Sequence, residues 1–386
     1  MCVHLHDRFG SISETRHRWK WPDERHLYHT CVPRIHVRAL NKHSSTPRKI
    51  KALQNTSRTA RKTANMENTP PVGPSTASLR WAILRRAFIS PRLSSSRSDR
   101  ISQMDIKSIS RKAACGFNLI PCHVLNGPAI EETSLKVKDL DGHRDACMCY
   151  VLPMGRTTRL VLIQRGENHV NLNDFEICSI YDIDNTGLVC RWPSEDVLAY
   201  FCLTHADMFR SKRVLELGSG YGLAGLTIAT NTDAVEVVIS DGNPQVVDYI
   251  QRSIHANTEL FGHTEVKPMT LHWNQGQVSQ MLNTFDIIVA SDCTFFKEFH
   301  ESLALTVKSL LKHSDTSEAL FFSPKRGDSL EKFLEKIEEI GLRFRVIDNY
   351  NTRVWELHLK YLSGDDSSWP NYDADHCYPL LVRVTF

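Results

Sequence analysis

From residue 184 to the C-terminus, short apolar runs alternate with longer stretches in which apolar residues recur every three or four positions. Runs of the first kind suit strands buried on both faces, and the second kind suits helices packed on them. Their alternation is what a parallel α/β sheet produces. The pattern predicts strands over 213–217, 235–240, 266–271, 285–291 and 319–323, with two last strands over 343–349 and 379–386. Between them it predicts helices over 193–208, from the glycines to about 230, over 244–257, about 297–312, and 328–340. Pro193 suits the first turn of its helix, and Gly341 is a typical C-terminal cap. Upstream, apolar character over 116–125 precedes two alternating runs, 147–152 and 159–164. These are split by Pro153, Gly155 and two threonines, which predicts a hairpin. A short amphipathic helix is expected over 79–88, LRWAILRRAF, with Trp81 and Leu84 on one face.

Charge divides the chain. Residues 1–112 carry 23 Lys and Arg against 7 Asp and Glu, and the remaining 274 carry 24 against 37. The net +3 is therefore the sum of a +16 stretch and a −13 body. The basic stretch is rich in Ser, Thr and Arg and lacks sustained apolar periodicity, so most of it is expected to be disordered. Neither a secretory signal nor a run of about 18 apolar residues is visible, and Asp7, Glu14, Asp23 and Glu24 argue against a transit peptide. A soluble protein of the cytoplasm, or of the nucleus as well, is expected. The eleven cysteines are scattered; Cys147 and Cys149 form a CxC with no second pair to complete a zinc site. They are read as residues on alternate faces of one strand in a reducing compartment.

Candidate chemistry concentrates where strands end, because open parallel sheets bind ligands at the carboxyl ends of their strands. The stretch VLELGSGYGLAG, 214–225, ends a strand on Glu216 and opens a helix with glycines whose backbone a ligand can approach closely. Gly220, Gly222 and Gly225 satisfy GxGxxG, with Asp241 near the distance expected of a dinucleotide site. Glu216 points elsewhere: a carboxylate at the rim repels a diphosphate and attracts a cationic ligand. S-Adenosyl-L-methionine carries an ammonium and a sulfonium and no phosphate, and acidic-x-Gly-x-Gly-x-Gly is the pattern of class I methyltransferases. The plainer reading of Glu216 is a strand-end carboxylate facing solvent. Asp241 is expected to accept both ribose hydroxyls, leaving Asn243 to cap the next helix. Trp273, after His272, belongs either near the adenine or in the core. Asp292, ahead of Phe295 and Phe296, should face the point where cofactor meets acceptor. A lysine acceptor is charged at neutral pH, so a carboxylate there would align the amine while aromatic walls favour loss of its proton. Its alternative is a cap of the following helix.

These segments, together with DNTGLVCRWPSEDVLAYFCL (184–203), LHW, FDIIVASDCTFF and the terminal HCYPLLVRVTF, resemble the calmodulin-lysine N-methyltransferase family. That family belongs to the class I seven-strand protein-lysine methyltransferases. The similarity runs from about residue 79 to the end. It implies a doubly wound, seven-strand Rossmann-like α/β domain that moves methyl groups from S-adenosyl-L-methionine to a lysine of calmodulin, up to trimethyllysine, without a metal. The cofactor role falls by resemblance on Trp192, Glu216, Gly218, Gly220, Asp241, Trp273 and Asp292, and the catalytic role on Asp292 and Phe295. Two departures stand out: His272 where relatives often have an acid, and Phe295 where the Asp-x-x-aromatic element often has tyrosine.

The expected organisation is a disordered basic tail (1–78), a helix and β-hairpin region (79–183) and the methyltransferase domain (184–386), acting as a monomer. Competing readings are methylation of a different protein lysine, an NAD-dependent oxidoreductase, and a non-catalytic binding module. Nucleic-acid methylation is disfavoured because the segment after the fourth strand lacks the two prolines of base-amine enzymes, and the body is acidic. No membrane partner is expected. The tail could steer encounter with acidic calmodulin or have no function.

Overall fold

The structure, a computed structural model, describes residues 112–113, 116–125, 144–153, 158–166, 172–273, 281–370 and 372–386. The tail expected over 1–78 and the helix expected over 79–88 lie outside these residues. The first described strands are β1 (Lys112–Ala113), β2 (Cys122–Leu125), β3 (Asp145–Leu152) and β4 (Thr158–Arg165). Strands β2, β3 and β4 form an antiparallel sheet in that order, with the β3–β4 pairing that the alternating runs predict. Cys147 and Cys149 share one face of β3, where both pack into a small cluster with Val161 and Ile163. The expectation of alternate faces fails because residues two apart on a strand point the same way. Both are free thiols.

Two helices, α1 (Leu172–Tyr181) and α2 (Thr186–Val189), and a short strand β5 (Cys190–Arg191), parallel to β1, lead into the main sheet. There β6 (Arg213–Leu217), β7 (Glu236–Asp241), β8 (Glu265–Thr270), β9 (Ile287–Ser291) and β10 (Glu318–Ser323) are parallel to their neighbours. The last strand, β12 (Leu380–Thr385), inserts antiparallel between β10 and β11 (Arg343–Ile347). The order is β8-β7-β6-β9-β10-β12-β11. Connections on both faces, with the chain order reversing between β6 and β9, make this the doubly wound seven-strand class I methyltransferase fold.

Alternation along the strands sorts the core into two layers. Val214, Val237, Ile239 and Val289 face α3 (Pro193–Thr204), α4 (Leu223–Asn231) and α5 (Pro244–Asn257). Leu215, Val238, Ile288 and Ala290 face the other way, against α6 (His300–Leu310) and α7 (Ser329–Glu339). The helix expected to reach 208 stops at Thr204, whose hydroxyl bonds back to the carbonyls of Tyr200 and Phe201, and a 3-10 turn follows. Helix α8 (Thr352–Ser363), absent from the sequence reading, buries Val354, Leu357, His358 and Tyr361. It is capped by the Asn351 side chain and stopped by Gly364 at φ 77°. A last short helix, α9 (Ala374–Cys377), precedes β12.

The small sheet docks on α5 through side chains. Asn257 accepts from the Val161 N–H (2.9 Å) and donates to the Val161 carbonyl (2.6 Å), and the Ser253 hydroxyl accepts from the Ile163 N–H (2.9 Å). Asp196 of α3 accepts from the N–H groups of Leu119 (2.8 Å) and Ile120 (3.4 Å). No helix among the described residues is long and apolar enough to cross a membrane.

Candidate active site

Four adjacent strands, β9, β6, β7 and β8, end along one edge of the sheet and open into one cavity. Asp292 follows β9, the glycine turn follows β6, Asp241 ends β7, and His272 with Trp273 follows β8; all border the cavity. At about 4.8 Å per strand these ends form a row about 14 Å long. Trp192, at the start of α3, and Phe295 complete the wall beside Asp292.

The glycine turn is held tightly. Gly218 has φ 54°, and a Cβ there would lie 2.8 Å from the Cys293 sulfur and 3.2 Å from the Trp273 ring. The Gly220 N–H donates to Asp241 Oδ2 (3.0 Å), and the Asn243 N–H donates to Asp241 Oδ1 (2.8 Å). Asp241 thus stitches the β6 and β7 turns together while still facing the cavity. Asn243 takes the cap of α5, accepting from the Gln245 N–H (2.9 Å).

Glu216 does not reach the wall, and this corrects the expectation of a rim carboxylate gripping a cation. It is 1% exposed, and its Oε2 accepts from the N–H of Gly225 (2.7 Å) at the start of α4, behind the turn. Gly225 must be glycine for this reason: a Cβ would sit 2.6 Å from the Glu216 oxygen and from Ile239. Burial pushes the Glu216 carboxyl up to about 8, against the pull of the Gly225 bond. The solvent-facing alternative fails as well.

Carboxyl groups at the cavity come instead from Asp182, Asp184, Glu195, Asp241 and Asp292, the last paired with Arg326 behind the wall, and no lysine or arginine is among the described lining residues. Glu195 is 4% exposed, in the first turn of α3. Burial also raises the Asp184 carboxyl above its ordinary value. Such a lining repels a diphosphate and suits a cationic ligand. At the other end, the His272 ring stacks on Tyr181 (4.9 Å between centroids) and is 3% exposed. Its Nδ1 has no hydrogen-bond partner among the described residues, and burial lowers its pKa, which favours a neutral ring at the cavity wall. An unpartnered buried atom beside a cradle closed to any Cβ is what a bound nucleoside would complete.

Asp292 is the most constrained of the predicted residues. It adopts φ 57°, its Oδ2 accepts from the Ser194 hydroxyl (3.1 Å), and its Oδ1 pairs with Arg326 (2.7 Å). Burial raises its pKa, and Arg326 and Ser194 pull it back. Trp192 and Phe295 stand 6.3 Å apart at 38°. The cavity therefore brings together Trp192, Gly218, Gly220, Asp241, Trp273, Asp292 and Phe295, and leaves out Glu216. Sequence reasoning passed over Ser194, Glu195 and Arg326. The first two lay in view as polar residues in the first turn of an apolar helix; Arg326 is 34 residues from Asp292 and gave no local signal.

A lysine methyltransferase family profile matches residues 183–340. A calmodulin-lysine N-methyltransferase from Arabidopsis thaliana is 58% identical over 311 residues, 81% of this chain and 97% of its own length. The human protein-lysine N-methyltransferase EEF2KMT is 25% identical over 248 residues, 60% of this chain and 69% of its own. The mouse protein-lysine methyltransferase METTL21E is 30% identical over 154 residues, 39% of this chain and 61% of its own.

Proposed function

This chain belongs to the calmodulin-lysine N-methyltransferase family, and on that premise we propose that it methylates a lysine side chain of calmodulin, up to the trimethylated state. The observation that carries the choice of cofactor is the cavity lining of five carboxylates with no lysine or arginine among the described residues. A nicotinamide dinucleotide would set its diphosphate against that charge, whereas S-adenosyl-L-methionine brings two positive centres. Its chemistry is an electrophilic methyl on a sulfonium, taken by a neutral amine whose lone pair makes the N–C bond while the S–C pair stays on sulfur.

The residues divide that work along the row of strand ends. His272 and Trp273 take the adenine, and Asp241 takes the ribose. The backbone of Gly218 and Gly220 takes the amino acid portion, with Glu195 as the counter-charge that the sequence assigned to Glu216. Asp292 aligns the acceptor nitrogen, and Trp192 and Phe295 exclude water from it, which favours the unprotonated amine. We place the protein in the cytoplasm or nucleus and read it as a monomer.

Radiolabelled methyl transfer to purified calmodulin, and to calmodulin with its target lysine replaced, tests the proposal. Label is expected only on the first. Label on neither, with transfer to a different protein in a panel, would favour another lysine substrate.

A further inference from the structure

The loop between β10 and α7 sends one cation into the acceptor end of the site. Arg326 has φ 48°, its own N–H donates to the Asp375 carbonyl (2.8 Å), and the neighbouring Gly327 N–H donates to the Asp375 carboxylate (2.7 Å). A left-handed arginine is strained, so the surrounding structure must hold it there. Its guanidinium lies 4.8 Å from the ring centres of both Trp192 and Phe295 and 2.7 Å from Asp292 Oδ1. The side chains of Arg326 and Asp292 are 6% and 5% exposed. Arg326 thus touches all three residues that form the acceptor end without being part of the described cavity lining. Its Nε finds no partner among the described residues, so the geometry serves the contact with Asp292 and the rings rather than full satisfaction of the guanidinium.

That arrangement addresses a problem built into the reaction. A lone buried carboxylate attracts lysine but holds it as the ammonium, which has no lone pair to donate. We propose that Arg326 is a positioning residue that balances the charge of Asp292, leaving the aspartate able to accept a hydrogen bond from the acceptor amine without trapping its proton. The proton passes to solvent water before methyl transfer. The inference rests on the methyltransferase reading above. Other groups share the region: Ser194 and Glu195 from α3, the Cys293 thiol, Asp182, Asp184 and Asp241 at the cavity, and Glu216 behind the turn. None of these others is a cation.

The test compares wild type, Arg326→Gln, Arg326→Lys and Arg326→Gln/Asp292→Asn between pH 7 and 9.5, with calmodulin as acceptor. Glu216 titrates within this window in every protein, so each profile is read relative to wild type. An unbalanced carboxylate raises the pKa of a neighbouring amine by about one unit or more. Arg326→Gln is therefore expected to lose about tenfold in kcat at pH 7, with KM no higher, and to carry its rising pH limb about one unit above that of wild type. Arg326→Lys restores most of the loss. The double variant, which leaves no unpaired buried charge to disturb folding, returns the pH limb to its wild-type position even at a lower plateau. A second readout needs no turnover: by calorimetry, Arg326→Gln should prefer lysine-bearing calmodulin over its Lys→Met form by more than wild type does. A pH limb that stays at its wild-type position, or a raised KM with kcat intact, or an unchanged lysine preference, overturns the role of Arg326. Wild type that labels no calmodulin overturns the function itself, and this inference with it.

Discussion

Glu216 shows how one residue type at a diagnostic position can serve a different physical purpose from the one its position suggests. The acid before the glycines reads as a cation grip, yet its carboxyl holds the first turn of α4 against the sheet through the Gly225 N–H. Its folded pKa of about 8 lies above the ordinary 4.5. The unfolded chain therefore releases this proton first as pH rises, and folded stability falls between about pH 4.5 and 8, then levels. At about 1.4 kcal/mol per unit the fall is on the order of a few kcal/mol. Glu216→Gln keeps a carbonyl oxygen for Gly225 and has no proton to lose. Urea denaturation at pH 5, 7 and 8.5 should show a flatter profile for the variant; parallel profiles would mean that Glu216 ionises freely in the fold. The placement of Gly218, Asp241 and Asp292 at the cavity was legible, because each stands at the carboxyl end of a parallel strand. The orientation of Glu216 and the presence of Arg326 were not, since both depend on which element packs behind which.

At the scale of elements, the apolar runs located the strands of the main sheet, most clearly the central ones such as β6 and β9, because strands buried on both faces have no polar alternative. The edge strands β8 and β11, by contrast, are partly exposed. Helix α8 had an equally clear signal in Val354, Leu357, His358 and Tyr361, with Asn351 and Gly364 as start and stop. What no local pattern reveals is how the small sheet is held. Strand β4 is an edge, and its outward N–H and C=O groups at Val161 and Ile163 meet Asn257 and Ser253 of α5 in place of another strand. Asn257→Ala removes both bonds to Val161 and leaves two buried backbone groups unpaired. A loss of about 2–4 kcal/mol in unfolding free energy is expected. Hydrogen exchange should localise it, with protection falling first in β3 and β4. A loss spread evenly over the main sheet would assign Asn257 to the general core instead.

For the molecule as a whole, the two ends of the described chain depend on each other. Strand β12 is the last in sequence but lies inside the sheet, paired with β10 on one side and β11 on the other. The Phe117 ring meets Tyr361, Trp369, Tyr372 and Tyr378 edge-on, with centroids 5.7 to 6.4 Å away, so the segment before β2 packs on residues of the C-terminal stretch. The family profile stops at residue 340, short of β11, α8 and β12. A domain cut to that match would expose the β10 edge and the Phe322 ring, which packs on Tyr350 (5.2 Å between centroids) and lies beside Leu381. A chain ending at Tyr378 should therefore lose cooperative unfolding and cofactor binding together, though every residue placed at the cavity is still present. Circular dichroism melting and calorimetric titration with S-adenosylhomocysteine on the same preparation decide it. A truncated chain that melts cooperatively and binds normally would show that β12 is dispensable and that the sheet holds without its antiparallel strand.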